Sequence, residues 1–351
     1  MTSERAGKIQ TVLGLIEPDE LGITSTHEHF LIDMTCYFTE PEEASERWYV
    51  DAPVTMDIAG GLMKRVWYSN DLQRVLDERA ATREILKYRY AGGNAIVDAT
   101  SIGIGRDPLA LARMSRATEL NVVMGASHYV PPSYPDDIDS RTEQEITDYI
   151  IKDVTAGVGE TGIKSGIIGE IGNFWPTNEN TRKILRASGH AAVETGAPIL
   201  IHPGFHPDAL MHIMNDLMES GTDPTRVIVG HLDAFSDLTP IREIAEIGAN
   251  LEYDRFGWED TMFDNGPVSD IIIPTDVQRM ERMEQLMEWG YEDRLVIAHD
   301  VCFKTDWISH GGKGYAHILE NIVPRLRGRG FSQDNISTIL VDNPKRILTF
   351  R

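Results

Sequence analysis

At 351 residues, 41% hydrophobic and 25% charged, the chain has an ordinary globular composition and enough length to bury a large core. Its net charge of −22 excludes nucleic acid and anionic membrane surfaces as partners, because both would repel it. Two distant cysteines, Cys36 and Cys302, make no disulfide framework, the N-terminus lacks an apolar signal core and no run approaches ~18 apolar residues, so a cytoplasmic protein is expected.

No linker or low-complexity stretch marks a boundary, so residues 1–351 are expected to form one domain. A short strand is predicted over 23–29. Residues i and i+2 of a strand share a face, so His27 and His29 aim both imidazoles into one space while Glu28 points away. Segment 37–70, rich in Glu, Pro and aromatics, reads as an irregular insertion. A helix over 72–90 leads to a strand over 94–100. Asp107 as N-cap and Pro108 at the first helical position start a helix over 108–120. Strands then come over 121–126, 166–172, 198–203, 227–231, 250–254 and 295–300. Helices over 142–155, 179–194, 208–219, 238–247, 276–289 and 315–326 alternate with them. Gly196, Gly221, Gly248 and Gly290 fall just past helix ends, where left-handed caps favour glycine. Two long excursions, 256–276 and 301–314, come after the seventh and eighth strands.

Short apolar strands alternating with amphipathic helices predict an α/β fold, the (β/α)₈ or TIM barrel. An open doubly wound sheet would place a glycine-rich phosphate loop after an early strand. The first strand ends instead in Thr26-His27-Glu28-His29, and 101–105 falls short of a dinucleotide fingerprint.

The polar residues at the predicted strand ends are His27 and His29, Glu170, His202, His231 and Asp300. All are metal-ligand types, and all fall on the C-terminal face, where barrels keep active sites. They exceed the needs of one four-coordinate ion but can hold two. His27, His29 and Asp300 would hold the more buried cation, His202 and His231 the more exposed one, and Glu170 would bridge them. A bridging hydroxide would be the nucleophile, with Asp300 as general base. Zinc is the first choice, with Mn²⁺, Co²⁺ or Fe²⁺ as alternatives. His190, His212 and His317 read as helix residues. His206 lies in a Pro-flanked loop, His299 should point away from Asp300, and His128 and His310 read as loop residues near the mouth.

At these residues the chain resembles the phosphotriesterase family of the amidohydrolase superfamily. The likeness runs from Val12-Leu13-Gly14 and 21–29 through Gly230-His231-Leu232-Asp233 and Ala298-His299-Asp300 to 311–318 and Asn343-Pro344. It implies a (β/α)₈ barrel with a binuclear metal centre at the C-terminal face of the strands, held by the same six residues. The founding organophosphate hydrolases bridge their metals with a carbamylated lysine. Here Gly166-Ile167-Ile168-Gly169-Glu170 offers a glutamate, and Lys164 lies before the strand. That departure is similar to the phosphotriesterase-related branch, associated with hydrolysis of N-acetyltaurine. Gly169-Glu170-Ile171-Gly172, Trp175-Pro176 and 251–254 resemble that branch in particular.

The expected function is therefore hydrolysis of a carboxylic amide, an N-acyl amino acid or N-acyl aminosulfonate. A lactone or ester is the alternative, then a phosphotriester, then a non-catalytic metal-binding barrel. An anionic substrate calls for a cation at the mouth, for which Arg255 and Lys304 are candidates. Tyr129, just past the third strand, could hydrogen-bond substrate. The partner expected is a small-molecule substrate, with a homodimer left open.

Overall fold

The computed structural model describes residues 4–259 and 271–351, and between them the backbone of a short strand, Met262–Phe263. The predicted excursion 256–276 therefore falls partly outside the described residues.

Eight strands form one sheet: β1 Thr24–Glu28, β2 Ala95–Asp98, β3 Asn121–Ala126, β4 Ile167–Gly172, β5 Ile199–His202, β6 Val227–Val229, β7 Asn250–Tyr253 and β8 Leu295–Ile297. They pair in chain order, every pair parallel. Among the bonds that link the outer strands, the Asp300 N–H donates to His27 O at 3.2 Å, and Thr26 Oγ1 reaches Ile297 O at 3.5 Å. The helices between and after them are α1 Glu78–Tyr90, α2 Pro108–Thr118, α3 Glu143–Thr155, α4 Glu179–Thr195, α5 Pro207–Glu219, α6 Thr239–Glu246, α7 Asp276–Glu288 and α8 Val323–Gly328. This is the predicted (β/α)₈ barrel.

Local chemistry sets the helix starts. Asp77, Asp107 and Asn178 each accept an N–H from the first turn, and Thr142 and Thr275 form reciprocal capping boxes with Glu145 and Gln278. Gly196, Gly221, Gly248 and Gly290 all take positive φ after their helices.

Alternate residues divide each strand between two cores. Val97, Val123, Ile167, Leu200, Ile228 and Val296 fill the barrel interior, and Ile9, Leu21, Ile347 and Leu348 join that cluster. The outward residues Ile168, Ile199, Ile201, Val227, Val229, Leu251, Leu295 and Ile297 pack into another cluster with the helices. Apolar filling below leaves the C-terminal ends of the strands for polar groups.

Several elements differ from expectation. The helix over 72–90 begins only at Glu78, because Arg74–Val75 pairs antiparallel with Ile32–Asp33 and Asp77 caps the helix after that strand. The span 315–326 contains a π-helical turn, Ile318–Ile322, before α8. An N-terminal hairpin (Ile9–Thr11 with Gly14–Ile16) and short helices Gln333–Ser337 and Asn343–Leu348 were not foreseen. The insertion 37–70 is irregular as predicted, made of short turns, and it buries Tyr37 and Trp67 with their rings 4.8 Å apart.

Candidate metal centre

Each predicted ligand is delivered by a strand or the residues just past one. β1 carries His27 inward, and His29 lies just past its end; β4 carries Glu170 and β5 ends on His202. His231 and Asp300 lie beyond β6 and β8, where the backbone turns left-handed, with φ of 55° and 53°. Such φ values are costly for non-glycine residues and are found where surrounding structure enforces them.

All six side chains are buried, and the four imidazoles converge on Glu170. Its Oε1 lies 3.3 Å from His29 Nε2. Its Oε2 lies 3.5 Å from His27 Nε2, 3.3 Å from His202 Nδ1 and 3.4 Å from His231 Nε2. Asp300 Oδ1 stands 3.4 Å from His29 Nε2 and 3.8 Å from His27 Nε2. His27, His29 and Asp300 make one group able to hold a cation, and His27, Glu170 and His231 another.

Three observations fit these residues to metal. Ligand atoms about 2.1 Å from a tetrahedral ion are separated by about 3.4 Å, close to the spacing of Glu170 from the four imidazoles, while His202 Nδ1 and His231 Nε2 stand 2.8 Å apart. His27 Nε2 and Glu170 Oε2 are buried without a hydrogen-bond partner, a costly state that a cation relieves. The far nitrogens are also set for coordination. Nδ1 of His27 faces Glu252 Oε2 and Asp254 Oδ2, both at 3.2 Å, and Nδ1 of His231 faces Asp254 Oδ1 at 2.9 Å. Ionised carboxylates only accept, so each Nδ1 carries the hydrogen and each Nε2 presents its lone pair to the cluster.

Glu252 and Asp254 were not singled out from the sequence. Their signal was the same i, i+2 spacing on β7 that marks His27 and His29 on β1. Gly230 makes room for them: a Cβ there would lie 2.8 Å from Asp254 Oδ2.

Charge reinforces the assembly. Burial disfavours the His29 imidazolium, but Asp300 and Glu170 outweigh it and push the pKa up to about 9. Burial and the neighbouring His231 push His202 down to about 4. Burial raises the Glu170 carboxyl, yet His27 and the other imidazoles hold it well below the usual range. Asp254 is likewise held low, against its burial, by His231 and His27.

Above the cluster, Tyr129, Arg255, Met34, Tyr37, Trp67 and Phe205 help line a cavity. Tyr129 OH lies 3.3 Å from His202 Nδ1 and accepts from Tyr37 OH at 3.3 Å. Lys304 is placed elsewhere: its ammonium pairs with Asp71, whose carboxylate also accepts the Val54 N–H. Glu28 points away from the ligands, as expected. His299 is directed at Glu28, and its Nε2 accepts the Ile318 N–H at 3.0 Å. His206 caps α5 and stacks on Trp175, and His317 pairs with Asp276. His128 is buried beside Tyr134, and His310 sits near Trp307.

The Phosphotriesterase family model matches residues 7–348. The chain belongs to the phosphotriesterase family. Its members are metal-dependent hydrolases, and this chain is one of them. The chain is similar to the N-acetyltaurine hydrolase of Homo sapiens, with 38% identity over 99% of this chain and 100% of that protein. It is similar also to the N-acetyltaurine hydrolase of Dictyostelium discoideum, with 40% identity over 99% of each. Among solved structures it matches a resiniferatoxin-binding protein from Rhodobacter sphaeroides. That match has a TM-score of 0.93 and 32% identity, covering 98% of this chain and 95% of the other. No helix among the described residues is long and apolar enough to cross a membrane.

Proposed function

We propose that this member of the family hydrolyses the amide bond of an N-acyl aminosulfonate or N-acyl amino acid, with N-acetyltaurine the first substrate to test. The observation that carries the proposal is Glu170, one buried carboxylate faced by four imidazoles. Six donors suit two divalent ions, zinc first, with Glu170 shared between them. His27, His29 and Asp300 would hold one and His202 and His231 the other. Cations bound there polarise the acyl carbonyl and lower the pKa of water toward neutrality.

The chain's own residues then move the proton. Asp300 is buried and held below the usual carboxylate range, with burial opposing and His29 and its fellow imidazoles prevailing. It is therefore ionised and free to accept the proton of the attacking water. Passing that proton to the amide nitrogen lets the amine leave, a step that an amide needs more than a lactone does, because an amide anion is a very poor leaving group. The Tyr129 hydroxyl beside His202 is placed to donate to the acyl oxygen. Aromatic side chains from the insertion and from the loops after β5, β7 and β8 line the cavity.

The test is a hydrolysis screen with metal-replete protein over N-acetyltaurine, N-acetyl amino acids, lactones and an aryl phosphotriester. Release of amine from the first two groups with the highest kcat/KM supports the reading. Preference for lactones or the phosphotriester would replace it.

A further inference from the structure

Arg255 sits deep in the cavity with part of its guanidinium unused. It is 5% exposed, and its Nε and Nη1 have no hydrogen-bond partner among the described residues. Its nearest carboxylate contact, Asp300 Oδ2, is 3.6 Å from Nε, an ionic contact too long for a hydrogen bond. Flat apolar groups hold the side chain in place: Cζ lies 5.2 Å from the Phe205 ring centroid and 5.5 Å from that of Trp258. Both rings and Arg255 line the same cavity as Glu170 and Asp300, and Arg255 is the one Lys or Arg among the described residues that does so.

A buried guanidinium with idle donors is unstable until an acceptor arrives. Its fork matches the two oxygens of a carboxylate or sulfonate, and the rings fix its plane before binding. We propose that Arg255 is the anion anchor of the substrate, and that its nearness to Asp300 restricts the enzyme to amides whose anion stands one or two carbons from the scissile nitrogen. The tether limit comes from geometry. Asp300 delivers the proton to the leaving nitrogen, and the anchor begins 3.6 Å from that same carboxylate. A long ω-amino acid would carry its anion past the guanidinium. The anion then occupies the Phe205–Trp258 side, and the acyl group faces Met34, Tyr37 and Trp67, contributed by or next to the insertion 37–70. The tether limit rests on the amide-hydrolase reading; the anion anchor does not.

Two measurements on the metal-loaded protein separate them. The first is calorimetric titration with ethanesulfonate, an anion with no amide, against wild type, Arg255→Gln, Arg255→Lys and Lys304→Met. The expected result is binding to wild type, about 10- to 100-fold weakening in Arg255→Gln, a smaller loss in Arg255→Lys and none in Lys304→Met. The lysine variant keeps the charge and covers the case in which the glutamine variant does not fold. The second is steady-state kinetics on N-acetylglycine, N-acetyltaurine and 6-acetamidohexanoate. Wild type should favour the two short substrates through KM, and Arg255→Gln should lose that preference. No binding of ethanesulfonate by wild type, or equal binding by the Arg255 variants, overturns the anchor. Equal KM for the long and short substrates in wild type overturns the tether limit. Arg255-dependent ethanesulfonate binding without hydrolysis of any amide would sink the proposed function and leave the anchor standing.

Discussion

The carboxylate of Glu28 brackets Asp300. Its Oε1 accepts the N–H of His299 at 3.1 Å and its Oε2 that of Val301 at 3.1 Å, so the residues on either side of Asp300 are tied to the end of β1. The Ser25 hydroxyl donates to the same group at 2.6 Å. This grip enforces the left-handed turn that points Asp300 back toward the four imidazoles. Glu28→Gln puts an amide donor where two N–H groups need acceptors. It is expected to cost about 1–3 kcal/mol of stability and to lower kcat about 10- to 100-fold through misplacement of Asp300. Urea unfolding and steady-state kinetics on the same variant check both; unchanged kcat would mean the turn holds without Glu28.

Asp254 supports His231 at two points, accepting the backbone N–H at 2.8 Å through Oδ2 and facing the ring nitrogen at 2.9 Å through Oδ1. Removing such a supporting carboxylate typically weakens metal binding about 10- to 100-fold. Asp254→Asn should show that loss in competition with a chelator while keeping its circular dichroism. Gly230→Ala should act in the same direction, because its new Cβ meets Asp254 Oδ2.

Arg279 is fully buried between Asp233 and Asp276, and it also donates to Trp258 O at 2.9 Å. Arg279→Met leaves the buried Asp233 carboxylate without its cation, while Asp276 keeps His317, a change expected to cost about 3–5 kcal/mol. Chemical denaturation measures it. Because Trp258 flanks Arg255, KM should rise in the same variant.

His128 predicts an acid limit. Burial, aided by Arg141 and Arg106, pushes its pKa down to about 4 from the ordinary 6.5. Between those values the unfolded chain binds a proton that the folded chain refuses, so stability falls as pH drops from 6.5 toward 4. The loss is about 3 kcal/mol at most, at about 1.4 kcal/mol per pH unit. Urea midpoints at pH 7, 5 and 4 should fall less steeply in His128→Gln than in wild type.

The barrel and the six converging residues were legible because both obey short rules. Apolar runs of strand length alternate with helices, and the ligand types stand at the strand ends, from His27 to Asp300. Some of the features that escaped needed knowledge of distant neighbours. Lys304 looks like a free loop charge until Asp71 is brought beside it. Residues 72–77 carry a helical pattern, but Ile32–Asp33 captures Arg74–Val75 as a strand. Glu252 and Asp254 could have been found by the alternation rule applied to β7. The N-terminal hairpin is too short to announce itself, since it makes only three register pairs.

The proposed chemistry depends on Glu170 and its imidazoles holding divalent cations that the reaction requires. Metal content of the chain after metal-replete expression, by plasma mass spectrometry, bears on this at once, alongside N-acetyltaurine hydrolysis before and after chelation. About two ions per chain are expected, with activity lost on chelation and restored by zinc, and a reduced metal content in Glu170→Ala. A wild-type chain that binds no ion, or one whose activity survives complete chelation, would contradict it.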